Sequence, residues 1–278
     1  MNDSLPMRYV ELGQSKLKVS RLIYGSEPFN LKKGPDGDRK QGDKKPNEAA
    51  EILKSALSVG VNVWDTSDDY GTHPHIREAL TRVKRSDVHV ADKSNALSEA
   101  DGWKALDYSN KSLGTDYVDI MFLHNVMEVG IDRVDASGKP YRSGSLDERI
   151  GALKAWTEAK ESGRVRATAL STHNTKVLRQ VLDVPDIDIV CTVLNMTGAV
   201  IEGGTLNEHI EAIRALKEDG RGVYVIKILH AGRLRDNAED AVRWAYQFHD
   251  IVDAWNIGMY DMNDVYSNIA MMEEVLPS

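Results

Sequence analysis

The sequence has few cysteines and no long apolar run. Its 278 residues include a single cysteine, Cys191, so neither a disulfide nor a set of thiolate metal ligands can form within one chain. Cys191 ends an apolar run, which is typical of a small buried side chain. No stretch approaches the roughly 18 apolar residues of a membrane span, and residues 1–6 do not resemble a signal peptide. We therefore expect a cytoplasmic protein without a membrane partner.

Positive charge is also in short supply. The chain has 35 Lys and Arg against 43 Asp and Glu, a formal net charge of -8. Nucleic-acid binding requires a basic face, so no nucleic-acid partner is expected. The contents of 41% hydrophobic and 28% charged residues are typical of a globular protein. The length suffices for one large α/β barrel or for two small domains.

Strand-like and helix-like segments alternate along almost the whole chain. The pattern predicts a hairpin from segments 7–12 and 17–20, followed by eight units of one strand and one helix. The predicted strands are 22–25, 61–65, 88–93, 117–123, 165–171, 187–195, 223–229 and 251–257. The predicted helices are 47–58, 73–84, 98–113, 145–162, 174–182, 205–218, 236–247 and 263–275.

Such alternation implies parallel strands joined by helical crossovers. A doubly wound sheet would share this pattern, but no early strand leads into the Gly-x-Gly-x-x-Gly turn that such nucleotide-binding sheets use. The sequence therefore favours the α/β class and a single (β/α)8 TIM barrel with an N-terminal β-hairpin, in which residues 1–278 form one domain.

Polar residues stand where three successive strands end. Asp65, Lys93 and His124 follow the second, third and fourth strands, and Tyr70 lies five residues after Asp65. The carboxyl ends of barrel strands meet at one rim, where active sites of this fold lie. A carboxylate, a phenol, an ammonium and an imidazole brought together there predict a site that delivers a proton to a developing alkoxide.

These residues and their flanking segments resemble the aldo-keto reductase superfamily over nearly the whole chain. The most specific segment is Ser-Leu-Gly-Thr-Asp-Tyr-Val-Asp (112–119) leading to His124, while Asp-x4-Tyr alone is weak. Further similar segments are 12–13, 17–20, 60–66, 70–71, 163–167 and 170–171. The resemblance implies reduction of an aldehyde, ketone or keto-sugar with a nicotinamide cofactor, NADP or NAD, or the reverse reaction.

The resemblance also implies a role for each rim residue. Tyr70 would be the general acid, and the Lys93 ammonium would lower the pKa of its phenol. Asp65 would keep Lys93 charged and aimed. His124 would orient the substrate carbonyl by donating a hydrogen bond from one ring nitrogen.

Cofactor contacts follow from the same resemblance. Those near the nicotinamide and pyrophosphate would be Gly25, Ser26, Ser171, Thr172, Asn195, Leu229, Gly232 and Arg233. The adenosine half would lie against Gly258, Met259, Asp264 and Asn268. Many relatives carry Lys and Arg around the 2′-phosphate of NADPH, whereas this chain has Gly258 and Asp264 at the matching positions. We therefore expect a weakened preference for NADPH, with NAD(H) acceptable.

Other readings of the sequence remain open. The protein could be a non-catalytic regulator that binds nicotinamide, or an aldolase that forms a Schiff base on Lys93 or on Lys227 of the seventh strand. His73 and His75 have no evident third ligand, so no metal is expected. Asp69 and Asp92 could help to orient Lys93, but we expect them to face water. The turn-rich loop 125–144 is the candidate lid over a small carbonyl or sugar-like substrate, and the sequence leaves the oligomeric state open.

Overall fold

The described residues of the computed structural model are 7–30, 42, 44–134 and 140–277, and they form twelve strands and eight α-helices. The strands are β1 (Tyr9–Glu11), β2 (Lys18–Ser20), β3 (Leu22–Gly25), β4 (Val63–Asp65), β5 (His89–Ser94), β6 (Val118–Leu123), β7 (Ile131–Val134), β8 (Pro140–Ser143), β9 (Val165–Thr172), β10 (Ile189–Val193), β11 (Gly222–Ile226) and β12 (Ala254–Gly258). The helices are α1 (Pro46–Ser58), α2 (His73–Leu80), α3 (Glu99–Leu113), α4 (Leu146–Glu161), α5 (Thr175–Gln180), α6 (Leu206–Glu218), α7 (Ala238–Tyr246) and α8 (Met262–Val275).

Eight parallel strands close into a barrel. Their order around it is β3, β4, β5, β6, β9, β10, β11 and β12, with β12 paired to β3. Chain order and spatial order therefore agree, as right-handed strand–helix–strand units require. The predicted (β/α)8 barrel is confirmed, and so is the predicted hairpin, which β1 and β2 form as an antiparallel pair.

The hairpin covers the amino-terminal end of the barrel. Leu12, Leu17 and Val19 are buried in the same cluster as the inward-facing strand residues. Between the two strands the chain approaches the start of β11 so closely that a Cβ on Gly13 would lie 2.0 Å from the backbone nitrogen of Gly222. Gly13 also has a φ of +52°, a backbone conformation that residues other than glycine rarely adopt. Glycine is therefore required at this contact.

Alternation along the strands decides which side chains face the barrel axis. Alanine, valine, isoleucine and phenylalanine side chains fill the interior, as is usual for this fold. Val63 on β4 and Ala91 on β5 belong to this interior cluster. Two residues further along each strand, the same face carries Asp65 and Lys93. The pattern thus changes from apolar to polar towards the carboxyl ends of the strands, where the predicted site lies.

Sequence signals predicted most helix starts correctly, whereas some helix ends were misplaced. Ser98, Ser145 and Thr205 each accept a hydrogen bond from the backbone three residues on, at the starts of α3, α4 and α6. Helix α2 ends at Leu80 rather than near residue 84. Within the described part of the chain, no helix is long and apolar enough to cross a membrane.

Two further predicted segments differ from the structure, one in where it ends and the other in its secondary structure. The seventh barrel strand was expected to reach residue 229, but β11 ends at Ile226 because Lys227 has a φ of +59°, which breaks an extended strand. Lys227 therefore lies in a loop. The predicted loop 125–144 contains an antiparallel hairpin of β7 and β8. Part of its turn-rich segment, 135–139, lies outside the described residues.

Candidate active site

A buried ion pair lies at the carboxyl end of β4 and β5. The Lys93 ammonium donates to Oδ1 of Asp65 and, over 2.7 Å, to the backbone oxygen of Thr66. Lys93 is only 1% exposed and Asp65 2%. A buried ammonium is costly unless it is paired and hydrogen-bonded, and here it is both. The two predicted strand-end residues are thus in contact.

A tyrosine of β11 holds the second oxygen of this carboxylate. The Tyr224 hydroxyl donates over 2.7 Å to Oδ2 of Asp65. Tyr224 is fully buried in the barrel interior, where its ring packs edge-on against Phe122 with centroids 5.5 Å apart. Both oxygens of Asp65 therefore have partners. The sequence analysis did not predict this bond, although Tyr224 belongs to the inward-facing series of β11.

Tyr70 lies beside the ion pair. The Lys93 Nζ is 5.1 Å from the centroid of its ring, and the ring of His124 stands edge-on with a centroid distance of 5.7 Å. The expected lowering of the Tyr70 pKa by Lys93 is not what the structure gives. Burial raises the pKa of Tyr70 well above its usual value, and the negative charges of Glu27, Asp65 and Asp69 raise it further. Tyr70 is therefore a neutral, proton-bearing phenol at neutral pH.

His124 is held from two sides. Its Nδ1 lies 3.1 Å from the Ser67 hydroxyl, and its backbone oxygen accepts from the Arg149 guanidinium over 2.6 Å. Burial lowers the pKa of His124 to about 4; the charges of Lys93 and Arg149 lower it as well, and that of Asp69 opposes them. The imidazole is therefore neutral at physiological pH. All four predicted rim residues are neighbours in the structure.

A cavity of about 340 Å³ opens beside Tyr70. It is walled by Asp65 and Tyr70 on one side and by the segment after β11 on the other. The remaining lining residues are Gly25, Glu27, Pro28, Ile226, Lys227, Ile228, Leu229, Ala231, Gly232, Arg235, Asn256, Ile257 and Gly258. This volume lies in the ordinary range for small-molecule sites.

Four of the predicted cofactor contacts line this cavity, namely Gly25, Leu229, Gly232 and Gly258. The others do not: Ser26, Ser171, Thr172, Asn195, Arg233, Met259, Asp264 and Asn268. Arg235 lines the cavity, whereas Arg233 does not. The sequence analysis also missed Glu27 and Pro28, which belong to a short 3-10 helix after β3, and Asn256, the central residue of β12.

Two of the residues that do not line the cavity, Thr172 and Asn195, form hydrogen bonds elsewhere in the rim. Thr172 has the opposite parity to the interior face of β9, and its hydroxyl donates to the backbone oxygen of Val126 over 2.7 Å. Asn195 donates to the backbone oxygen of Ala199 over 2.9 Å and accepts from Thr197, which shapes the turn after β10. These bonds stabilise the rim.

Lys227 forms an ion pair with a carboxylate of the cavity wall. Its Nζ lies 3.6 Å from Oε2 of Glu27. The loop that carries it is unusual, because Lys227, His230 and Ala231 all have positive φ values, from +47° to +59°. Such residues are strained and persist only where the surrounding structure holds them, often at functional sites.

Comparison with known proteins decides the family. The model of the Aldo/keto reductase family matches residues 21–274, which is most of the chain. The chain belongs to the aldo/keto reductase family. Among the relatives of this aldo-keto reductase, L-galactose dehydrogenase from Arabidopsis thaliana is 26% identical over 236 residues. That match covers 81% of this chain and 66% of the relative's length.

Solved aldo-keto reductases share the barrel. The holo form of one from Bacillus halodurans superposes with a TM-score of 0.70 at 21% identity, covering 96% of this chain and 91% of that one. One from Bombyx mori, solved in complex with NADP, gives a TM-score of 0.71 at 13% identity over 98% and 90% of the two chains. At these identities the similarity shows the fold. The family as a whole includes nicotinamide-binding oxidoreductases.

Three acidic residues of this aldo-keto reductase lie near the rim. Asp92, expected to face water, is fully buried and bonded to His73 over 3.0 Å. Burial, together with the charges of Asp92 and Asp69, raises the pKa of Asp68 to about 7. Among the described residues, Asp68, Asp69 and His124 have potential metal-ligand atoms within 4.8 Å of one another. His75 is not in this group, since its Nε2 lies 2.7 Å from the backbone oxygen of Lys44.

Proposed function

We propose that this protein is an NAD(P)-dependent oxidoreductase that reduces the carbonyl of an aldehyde, ketone or keto-sugar to an alcohol, or catalyses the reverse reaction. One observation carries the proposal: Tyr70 and Asp65 line the same cavity as the glycines that end β3 and β12, while Lys93 is bonded to Asp65. The family's oxidoreductase members support this general activity. In the proposal residues 1–278 act as one cytoplasmic domain.

The lining of the cavity fits a nicotinamide dinucleotide. Lys227 and Arg235 supply positive charge suited to a pyrophosphate, and Gly232 allows a close approach of the backbone. When bound, the cofactor supplies or accepts a hydride. We retain Gly25, Leu229, Gly232 and Gly258 as cofactor contacts and assign Arg235 in place of Arg233. We assign Thr172 and Asn195 to support of the rim.

Tyr70 is proposed as the general acid. Its raised pKa keeps the phenol protonated at neutral pH, so the proton is present when the carbonyl is reduced. An alkoxide is a much stronger base than a phenolate, so transfer from Tyr70 to the new alkoxide is favourable. The Lys93 ammonium, 5.1 Å from the ring centroid, would stabilise the phenolate that remains. Asp65 keeps that ammonium in place.

A panel of sugars, aldehydes and ketones tests this proposal. The absorbance of the cofactor is followed with each compound, using NADH and NADPH in turn. We expect oxidation of the cofactor to depend on a carbonyl substrate. Cofactor binding without turnover of any substrate would favour a regulatory protein. A covalent adduct trapped by borohydride on Lys93 or Lys227 would favour an aldolase. Either result would replace the proposed reaction.

Cofactor choice is the first prediction. Gly258 and Asp264 supply no cation for a 2′-phosphate, and Oδ2 of Asp264 accepts from the backbone nitrogen of Tyr260 over 2.7 Å. Asp264 does not line the cavity, but in the proposal the adenosine half extends beyond Gly258 towards it, where its carboxylate would repel that phosphate. We expect the Kd values of NADH and NADPH, measured by fluorescence titration, to differ by well under about a hundredfold. A preference for NADPH of about a hundredfold or more would contradict the assignment.

A further inference from the structure

The Arg149 side chain of α4 is fully buried next to the rim, and the proposed reaction does not use it. Each nitrogen of its guanidinium donates to a different backbone oxygen: Nε to that of Ala96 over 3.0 Å, Nη1 to that of His124 over 2.6 Å, and Nη2 to that of Ser94. In the part of the chain that the structure describes, no carboxylate forms an ion pair with Arg149. This buried cation is therefore bonded to carbonyl groups alone.

Such a position is costly for a charged side chain. Burial lowers the pKa of Arg149 to about 9, and the charge of Asp68 opposes that shift, so the guanidinium stays protonated at neutral pH. A buried cation is tolerated only where hydrogen bonds replace the water that it has lost. The three carbonyl bonds therefore account for an arginine on a helix face that otherwise buries apolar side chains.

The three carbonyl groups belong to the segments that leave β5 and β6. The register of these two strands ends with the pair of Ser94 and Leu123, and just beyond it the amide of His124 donates to the backbone oxygen of Ser94 over 2.9 Å. Arg149 binds this same oxygen and adds those of Ala96 and His124. The N–H groups of a planar guanidinium point in fixed directions, so one side chain sets the relative positions of all three oxygens. Arg149 thus joins the two segments where strand pairing stops.

Two rim residues lie at the bonded positions. Lys93 immediately precedes Ser94, and His124 is bonded through its own backbone oxygen. Both contact Tyr70: the Lys93 Nζ lies 5.1 Å from the centroid of the phenol ring, and the centroid of the His124 ring lies 5.7 Å from it. The spacing between the ends of β5 and β6 therefore sets the spacing of the two groups that contact the phenol.

We propose that Arg149 is a positioning residue that ties the ends of β5 and β6 together and so holds Lys93 and His124 in place against Tyr70. This rests on the proposed function, in which Tyr70 delivers a proton. The planar fork of the guanidinium matters more than its charge, because a single ammonium group cannot span three oxygens as three nitrogens do. A displacement of about 1 Å at a reacting group can lower a rate by about 10²-fold.

Two variants separate the fork from the charge. Arg149→Lys keeps a cation, and Arg149→Ala leaves a space that a guanidinium ion can enter. Arg221 provides the matched controls, because it is 4% exposed and donates to the backbone oxygens of Val184, over 2.9 Å, and Ile187 at the amino-terminal end of the barrel. All variants are assayed at a temperature where urea denaturation shows that they are folded.

With the best substrate of the panel, we expect kcat to fall by about 10²-fold in both Arg149 variants while the Kd of the cofactor is unchanged. Guanidinium ions, well below the concentrations that unfold proteins, should raise kcat in Arg149→Ala, whereas ammonium ions should not. Arg221→Lys and Arg221→Ala should lose stability but keep the wild-type kcat. The proposal is overturned by a wild-type kcat in Arg149→Lys, by an equal loss of kcat in the Arg221 variants, or by a failure of guanidinium to raise kcat.

Amide hydrogen exchange, measured by NMR, separates this inference from the proposed function. The amide of His124 should exchange faster in Arg149→Lys than in the wild type or in Arg221→Lys, because its acceptor, the backbone oxygen of Ser94, is no longer held. Unchanged exchange would refute the role of Arg149. If the wild type turns over no member of the panel, the proposed function fails, while exchange at His124 still decides whether Arg149 joins the two strand ends.

Discussion

At the scale of single residues, the chemistry depends on how completely Asp65 is held. Its two carboxylate oxygens are bonded to Lys93 and Tyr224, which come from the separate strands β5 and β11. An ion pair fixed from both sides keeps the ammonium at one position under the ring of Tyr70. Orientation of this kind is what a proton-transfer site requires.

Removing the Tyr224 hydroxyl is predicted to destabilise the fold. Tyr224→Phe leaves Oδ2 of a buried carboxylate without its donor, and we expect the free energy of unfolding to fall by about 1.5–3 kcal/mol in urea denaturation. The matched control is Tyr246→Phe, a buried tyrosine whose hydroxyl contacts to Asn268 are longer, at 3.4 and 3.5 Å. Equal losses of unfolding free energy in the two variants would show that the bond to Asp65 stabilises the fold no more than the weaker contacts of Tyr246 do.

The rim residues were predictable from sequence, whereas their partners were not. Asp65, Lys93 and His124 each follow an apolar strand, and parallel strands bring such positions together wherever they form a barrel. The bond between Tyr224 and Asp65 joins residues 159 positions apart, and no local pattern encodes it. The direction of the Tyr70 pKa shift was mispredicted because the burial of the phenol, and after it the negative charge of Glu27, was not foreseen.

At the scale of elements, the segment after β11 closes one wall of the cavity. It departs from strand geometry at Lys227, and Glu27 from the loop after β3 faces it at 3.6 Å. Strand signals in the sequence ran on to residue 229, since Ile228 and Leu229 are apolar. The positive φ at a lysine has no sequence signature, so the end of this strand could not be predicted.

Glu27 is predicted to oppose binding of an anionic cofactor. Glu27→Gln removes a negative charge from the cavity wall and frees Lys227, so we expect the Kd of NADH and NADPH to fall about threefold at low salt, with less effect at high salt. Fluorescence titration measures both Kd values at each salt concentration. Glu11→Gln is the control, because that carboxylate is 66% exposed and lies in the hairpin at the other end of the barrel. Weaker cofactor binding in Glu27→Gln would show instead that the ion pair with Lys227 organises the wall.

At the scale of the whole molecule, a second buried carboxylate joins three strands at the end of the barrel opposite the site. Asp119 on β6 accepts from Arg85 over 2.7 Å, from the backbone of Val90 over 2.9 Å and from Arg166 over 2.7 Å. Burial alone would raise the pKa of Asp119, but bonds from His89, Arg85 and Val90 overcome it and hold the pKa at about 2.

This cluster predicts a specific loss of stability in acid. Because the folded pKa lies below the unfolded value near 4, the stabilisation by Asp119 is complete above about pH 4 and is lost as the pH falls towards 2. It amounts to about 2.5 kcal/mol. We expect the difference in unfolding free energy between the wild type and Asp119→Asn to shrink over that range in urea titrations. A difference that stays constant from pH 5 to pH 2 would contradict this account.

The barrel itself was predictable because its signals repeat. Eight apolar strands, each followed by a helix, agree on one architecture even where single boundaries are off by several residues. The hairpin within segment 125–144 was harder to predict: Ile131 and Arg133 pair with β8 although turn residues dominate the segment. Hairpin pairing depends on which residues meet across the turn, which composition alone does not show.

The most direct test of the central claim is turnover by Tyr70→Phe, which keeps the ring and removes the proton. With the best substrate of the panel, we expect NAD(P)H to bind as in the wild type while kcat falls by about 10²–10⁴-fold. Tyr108→Phe, an exposed tyrosine on α3, should turn over normally. Turnover of Tyr70→Phe within about tenfold of the wild type would show that another group delivers the proton.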